Sequence, residues 1–297
     1  MASVTKVADY NDLCGECPLW DADSGYLYWT DLLSGRIYRY RPSTGYHEIV
    51  SRGMAINGFR FNEAGGFVIG NSNGISLWNE ETLQLIVSEV DGSLCQINDC
   101  IADPDGRFFA GSYFYDPACD YKLGKLIRVE NDGRAEIVDE GFHLANGLGF
   151  SPDCSTLYFT DTVARIIYAY DYDVTQGSPS NRRIFVKVSS DEGIPDGLTV
   201  DSMGFVWSAQ WYGGCIVRYD PDGKRERVVK IPAKQTSSLT FGGSDLTDVF
   251  ITSASKDGPL PVMPPGYDSH TGNLGGQLFH INLGIPGKAE FKANIRC

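Results

Sequence analysis

The sequence predicts an all-β protein, a six-bladed β-propeller with four antiparallel strands per blade, and three observations predict it. Short strand-like runs bounded by Gly, Pro, Asp or Asn recur along the chain: Tyr26–Thr30, Phe67–Gly70, Phe108–Ser112, Leu157–Thr160, Phe205–Ala209 and Val249–Thr252. A related segment precedes each run, and its leading residue returns at separations of 41, 41, 48, 50 and 41 residues, a blade-sized period. No long amphipathic helical pattern interrupts these runs, and 34 glycines with 12% aromatics favour short strands joined by turns.

The repeated segments open with Glu16, Asn57, Asn98, Asn146, Asp196 and Ser237, and each reads as the first strand of a unit. In the first unit the strand candidates are Cys17–Trp20, Tyr26–Thr30, Arg36–Tyr40 and His47–Val50. In the fourth they are Gly147–Phe150, Leu157–Thr160, Ile166–Tyr170 and Arg183–Val188. Some alternate apolar and polar residues, as Ile37–Arg41 does. Others are continuously apolar, as expected where both faces are buried. Trp20-Asp21 does not recur, which disfavours a WD-type propeller. The sixth unit has no evident fourth strand after Gln277–Asn282. Either Val4–Ala8 or Ala289–Ile295 could supply it and tie the ring together.

The repeat assigns residues 1–297 to a single domain. A net charge of −13 argues against nucleic acid or an anionic membrane as partner, since both demand a basic face. Met1–Asn11 has no secretory apolar core and no apolar run reaches membrane-spanning length, so a cytoplasmic protein, monomeric or weakly homo-oligomeric, is expected. Eight cysteines are too sparse for a disulfide framework. Cys14 and Cys17 read as small residues packed beside a tight turn.

The first strand of a propeller blade lines the central channel, so the six leading residues should form one ring there. All six carry side-chain oxygen. Singly, Asn, Asp and Ser also suit turns and strand starts; six converging on one axis suggest a site. Two carboxylates among amides in a narrow channel must share a proton or hold a cation. Glu16, Asn146 and Asp196 offer three oxygens and two charges, a set suited to Ca²⁺, Mg²⁺ or Mn²⁺. None of His47, His143, His270 and His280 falls on the ring, which weakens but does not remove Zn²⁺; Fe²⁺ also stays open. Two long connections, Tyr113–Gly124 and Ala254–Gly276, should return to the same face as lids or binding loops. Tyr113, Tyr115, Asp116, Tyr121, Trp211 and Tyr212 are then candidate pocket walls.

Gly15–Trp20, Asn98–Gly106, Asn146–Ser151 and Pro195–Asp201, with Ser180–Arg183 and Phe241–Gly243, resemble motifs of the regucalcin/gluconolactonase family. The likeness runs over about residues 10–283. It implies a propeller that hydrolyses a sugar lactone, an aldono-1,4- or 1,5-lactone, to the aldonic acid with one divalent metal ion. By resemblance Glu16, Asn146 and Asp196 match the metal ligands, and Asp196 also matches the general acid/base. Either Asp196 or a metal-bound hydroxide then serves as base. Asn98 matches a substrate contact, Asn57 would help orient the lactone, and Asp116 falls near an acidic substrate-contacting position. Gln96 stands where many members have a substrate-binding arginine, and the sixth-unit insertion looks longer than in regucalcin. Two other readings accompany this one: a non-catalytic calcium-binding or scaffold propeller, and a phosphotriesterase-type hydrolase on the same fold. Open room above the ring would favour an enzyme.

Overall fold

A computed structural model of the protein describes residues 3–79, 81–113 and 123–296. Among these residues every regular element is a β-strand, and no helix is long and apolar enough to cross a membrane. Six four-stranded antiparallel sheets stand around an axis as the blades of a propeller. The innermost strands are Gly15–Asp21, Gly58–Phe61, Ile97–Ala102, Ala145–Phe150, Ile194–Val200 and Thr236–Gly242. Each touches the next around the ring, and the last touches the first. In blade one, Tyr26–Asp31, Arg36–Arg41 and Tyr46–Arg52 follow outward in chain order.

Burial follows distance from the axis. Ala145–Phe150, Ile194–Val200 and Thr236–Gly242 are buried at every residue, whereas outermost Arg225–Lys230 is exposed at five of six. Inner strands have blades on both sides, so they are apolar and small; outer strands carry charge that blunts an open edge. The core lies between blades. Phe109, Phe142, Phe150, Phe159, Tyr170 and Tyr172 form one such layer between blades three and four. At roughly 2 kcal/mol for each fully buried large apolar side chain, these layers hold the blades together.

Blade six is completed by Thr5–Asp9, which pairs with Gln277–Asn282 and sets Thr5 opposite His280. Of the two segments the sequence offered for this strand, the N-terminal one is used. Ala289–Ile295 instead crosses the end of the channel where the first strands finish. Ala293 N–H donates to Phe61 O at 2.8 Å and Asn294 N–H to Gly106 O at 2.7 Å.

The innermost strands are irregular where the ring residues sit. Register shifts fall at Glu16/Leu19, Ile97/Asp99, Asn146/Leu148, Pro195/Leu198 and Thr236/Leu239. A bulge leaves one residue outside the ladder and re-aims its side chain, so the ring residues can turn to the axis while their strands stay paired. Gly147 and Gly197 follow Asn146 and Asp196 because neighbouring inner strands nearly touch there. A Cβ on Gly147 would lie 2.6 Å from Asp196 O, and one on Gly197 would lie 2.6 Å from Ser238 Cβ.

Candidate active site

A cavity of about 220 Å³ opens at the end of the channel where the first strands begin. Its lining includes Glu16, Asn98, Asn146 and Asp196 from blades one, three, four and five. Cys14, Leu32, Leu144, Thr162 and Trp211 form walls, and Gly258-Pro259-Leu260 of the long blade-six connection contributes one side.

The hydrogen bonds orient the amides. Asn146 Nδ2 donates to Thr162 Oγ1 at 3.1 Å, and Asn98 Nδ2 donates to Ala145 O at 2.8 Å. With their N–H groups engaged on blade four, both amides have Oδ1 left to accept from, or coordinate, whatever enters the cavity. Asp196 is 4% exposed, and its Oδ1 has no hydrogen-bond partner among the described residues. Among the described residues Glu16 Oε2 accepts only a long bond, from Cys17 N–H at 3.3 Å.

The acidic groups sit in an expensive environment. Burial, then the charges of Asp196 and Asp99, pushes the Glu16 carboxyl well above its ordinary range. Burial and the charge of Asp99 do the same to Asp196. Asp99 itself is pushed up to about 6 by burial, against the pull of the Arg60 guanidinium. Carboxyls crowded this way either keep a proton or bind a cation. The donors suit a hard divalent cation: all are oxygens, and among the described residues no histidine lines the cavity. Among the described residues no three His, Cys, Asp or Glu side chains cluster closely enough to hold an ion by themselves. A three-donor set drawn from the floor would have to include an amide oxygen, such as that of Asn146.

Other sequence candidates lie elsewhere. Asn57 is buried, its Nδ2 donating to Ile97 O at 3.0 Å, which ties blade two to blade three. Ser237 turns sideways, its hydroxyl donating to Gly15 O at 2.5 Å. Neither these two nor Gln96 is part of the cavity lining; Gln96 accepts at its backbone carbonyl from Tyr113 N–H, 2.9 Å. Trp211 is in the wall, whereas Tyr212 stands behind it and binds the blade-six connection. Asp116, Tyr115 and Tyr121 lie outside the described residues.

Sequence reasoning missed Cys14, Leu32, Leu144 and Thr162, and a signal for them existed. Thr30-Asp31-Leu32 and Thr160-Asp161-Thr162 end the second strands of blades one and four. Cys14 and Leu144 stand two residues before Glu16 and Asn146. In both blades the Asp accepts from the backbone N–H groups leading into the ring residue: Asp31 from Leu13 and Cys14, Asp161 from His143 and Leu144.

Fold and site together define a six-bladed propeller with an oxygen-donor floor beneath an axial pocket. The chain belongs to the SMP-30/gluconolactonase/LRE-like family, whose model matches residues 14–255. It is 36% identical to pentonolactonase XacC of Haloferax volcanii over 299 residues, 99% of each chain. It is 32% identical to 6-deoxy-6-sulfogluconolactonase of Pseudomonas putida over 280 residues, 93% of each. A solved luciferin-regenerating enzyme superposes with a TM-score of 0.88 at 26% identity, covering 99% of this chain and 100% of that one.

Proposed function

We propose that the protein hydrolyses a sugar lactone, an aldono-1,4- or 1,5-lactone, to its aldonic acid, using a divalent metal ion held by Glu16, Asn146 and Asp196. The observation that carries this reading is the unpartnered Asp196 Oδ1, buried beside the Glu16 carboxyl at the floor of an open cavity. The kinship with two proteins named as lactonases supports the reaction class. The room above the donors favours catalysis over a purely structural ion.

When bound, a divalent ion supplies Lewis acidity toward the lactone carbonyl. Asn98 positions the substrate: its amide is fixed on Ala145 O, so its Oδ1 accepts from a ring hydroxyl. Asp196 uses its unpartnered Oδ1 as general base. It takes a proton from the water whose oxygen attacks the carbonyl carbon, and returns it to the ring oxygen as the acyl C–O bond breaks. The product carboxylate then faces the two carboxyls of the floor, which disfavours its retention. Asn57 supports this arrangement from outside the cavity by binding Ile97 O, next to Asn98.

The test is acid release from five- and six-carbon aldono-lactones by protein that has been chelated and then reloaded with Ca²⁺, Mg²⁺, Mn²⁺, Zn²⁺ or Fe²⁺ singly. Turnover is expected only after reloading. Full turnover by the chelated protein overturns the metal assignment, and no turnover with any ion overturns the reaction.

A further inference from the structure

The cavity has two unlike halves. Oxygen donors occupy the floor, while the wall is mostly apolar: Leu32, Leu144, Trp211, Pro259 and Leu260, with Cys14 and Thr162 next to the floor. Among the described residues no lysine, arginine or histidine lines it. Among the described residues a polyhydroxylated ring finds partners at the floor and at Thr162 beside it, and a charged substituent finds no counter-charge on the wall.

The wall is also fixed in place. Tyr212 Oη donates to Gly258 O at 2.6 Å and accepts from Leu260 N–H at 2.8 Å. Gln235 Nε2 donates to Ala254 O and Lys256 O, 2.9 and 2.8 Å, and its Oε1 accepts from Gly258 N–H at 3.3 Å. Arg165, in the turn that follows Asp161, donates through Nη2 to Val262 O at 2.6 Å. Leu260 is thus pinned on both sides. Gly258 lets the segment lie on the indole, since a Cβ there would be 3.2 Å from Trp211 Cζ2. A backbone held this firmly keeps Leu260 in the wall as a preorganised apolar surface, which discriminates between ligands without first having to be ordered.

We propose that the site selects neutral lactones whose exocyclic end is a methyl or short alkyl group, seated against Leu260 and Trp211, over lactones ending in a hydroxymethyl or an anionic group. This rests on the lactonase reading and names its substrate class. The discrimination has a physical scale. An apolar pocket separates a methyl from a hydroxyl-bearing isostere by roughly ten- to a hundredfold. An anion that loses its water without gaining a partner is rejected more strongly.

The experiment compares kcat/KM for three lactones that share one ring and differ at C6: a 6-deoxyhexono-1,4-lactone, its hydroxymethyl parent and the 6-carboxylate. The order methyl, hydroxymethyl, carboxylate is expected, with about tenfold or more between the first two. In Leu260→Asn the methyl substrate should lose its advantage through a raised KM. Binding of the hydrolysis-resistant 6-deoxy and 6-hydroxy 1,5-lactams, followed by calorimetry, reads the same preference without turnover. Equal or better use of the carboxylate, or equal binding of the two lactams, overturns the substrate class while leaving lactone hydrolysis intact. Tighter binding of the deoxy lactam with no lactone turned over supports the pocket's preference and overturns the reaction instead.

Discussion

Asp31 and Asp161 occupy equivalent places in blades one and four, and each holds the segment that delivers a floor residue. Asp31 accepts from Leu13 and Cys14 N–H at 2.9 and 3.0 Å, just before Glu16. Asp161 accepts from His143 and Leu144 N–H at 3.0 and 3.2 Å, just before Asn146. Both carboxylates are almost wholly buried, so these are charge-assisted bonds with little competition from water. They are positioning residues, one step removed from the chemistry.

Asp161→Ala should therefore weaken binding of the divalent ion by about ten- to a hundredfold, as loss of such outer support commonly does. Titration calorimetry with Ca²⁺ or Mn²⁺ measures it. Unchanged affinity in a folded variant would show that Asn146 keeps its place without this clamp.

Asp196→Asn keeps the shape of the floor residue but removes the carboxyl proposed as proton acceptor. Lactone turnover should drop by about a thousandfold or more, with near-ultraviolet circular dichroism unchanged. A variant that binds metal and turns over normally would remove Asp196 from the reaction.

Asp12 provides a pH-dependent stability effect away from the floor. It is 2% exposed, and its Oδ2 accepts from Trp29 Nε1 at 2.9 Å. Burial pushes its pKa from 3.8 up to about 7, although the bond from Trp29 pulls the other way. The folded state thus holds this proton more tightly than the unfolded chain does. Its contribution is complete below about pH 4 and is lost as pH rises through 7. Melting temperatures from pH 5 to 8 should fall more for the wild type than for Asp12→Asn, which stays neutral throughout. Parallel profiles would contradict this.

Blade five depends on a buried ion pair. Arg218 Nε and Nη2 lie 2.8 and 2.7 Å from Asp201 Oδ2, which also accepts from Trp207 Nε1 at 2.9 Å. The guanidinium carbon stands 3.6 Å above the Phe205 ring. Arg218→Met leaves Asp201 without its countercharge and should cost about 3–5 kcal/mol in denaturant unfolding. Replacing both partners with apolar residues should recover part of that loss.

The sequence made the propeller legible because every blade repeats one pattern, from Glu16-Cys-Pro-Leu-Trp to Ser237-Ser-Leu-Thr-Phe. The shared position also drew attention to the oxygen donors. It could not say which would face the cavity, because the bulges and the hydrogen bonds each side chain makes with the neighbouring blade decide that. Asn57 precedes a strand that is in register and spends its amide on Ile97 O, while Ser237 reaches Gly15 O. Asp99 stayed hidden for a related reason: the register shift between Ile97 and Asp99 brings it within electrostatic reach of Glu16 and Asp196, where regular alternation would send neighbours to opposite faces. The wall was illegible because its residue types differ from blade to blade. Leu32 and Thr162 share a position and nothing else.

The pairing of Thr5–Asp9 with Gln277–Asn282 joins residues 275 positions apart in sequence at Thr5 and His280. Its loop-closure entropy is met only when nearly the whole chain is available. During synthesis blades one to five can pair from local contacts, but the early strand must wait for its partner. Until then it is an unpaired edge beside the exposed flank of blade one, open to the same segment of another chain. The last step of folding should therefore be slow, and it is the step at which crowded conditions would divert the protein into swapped assemblies.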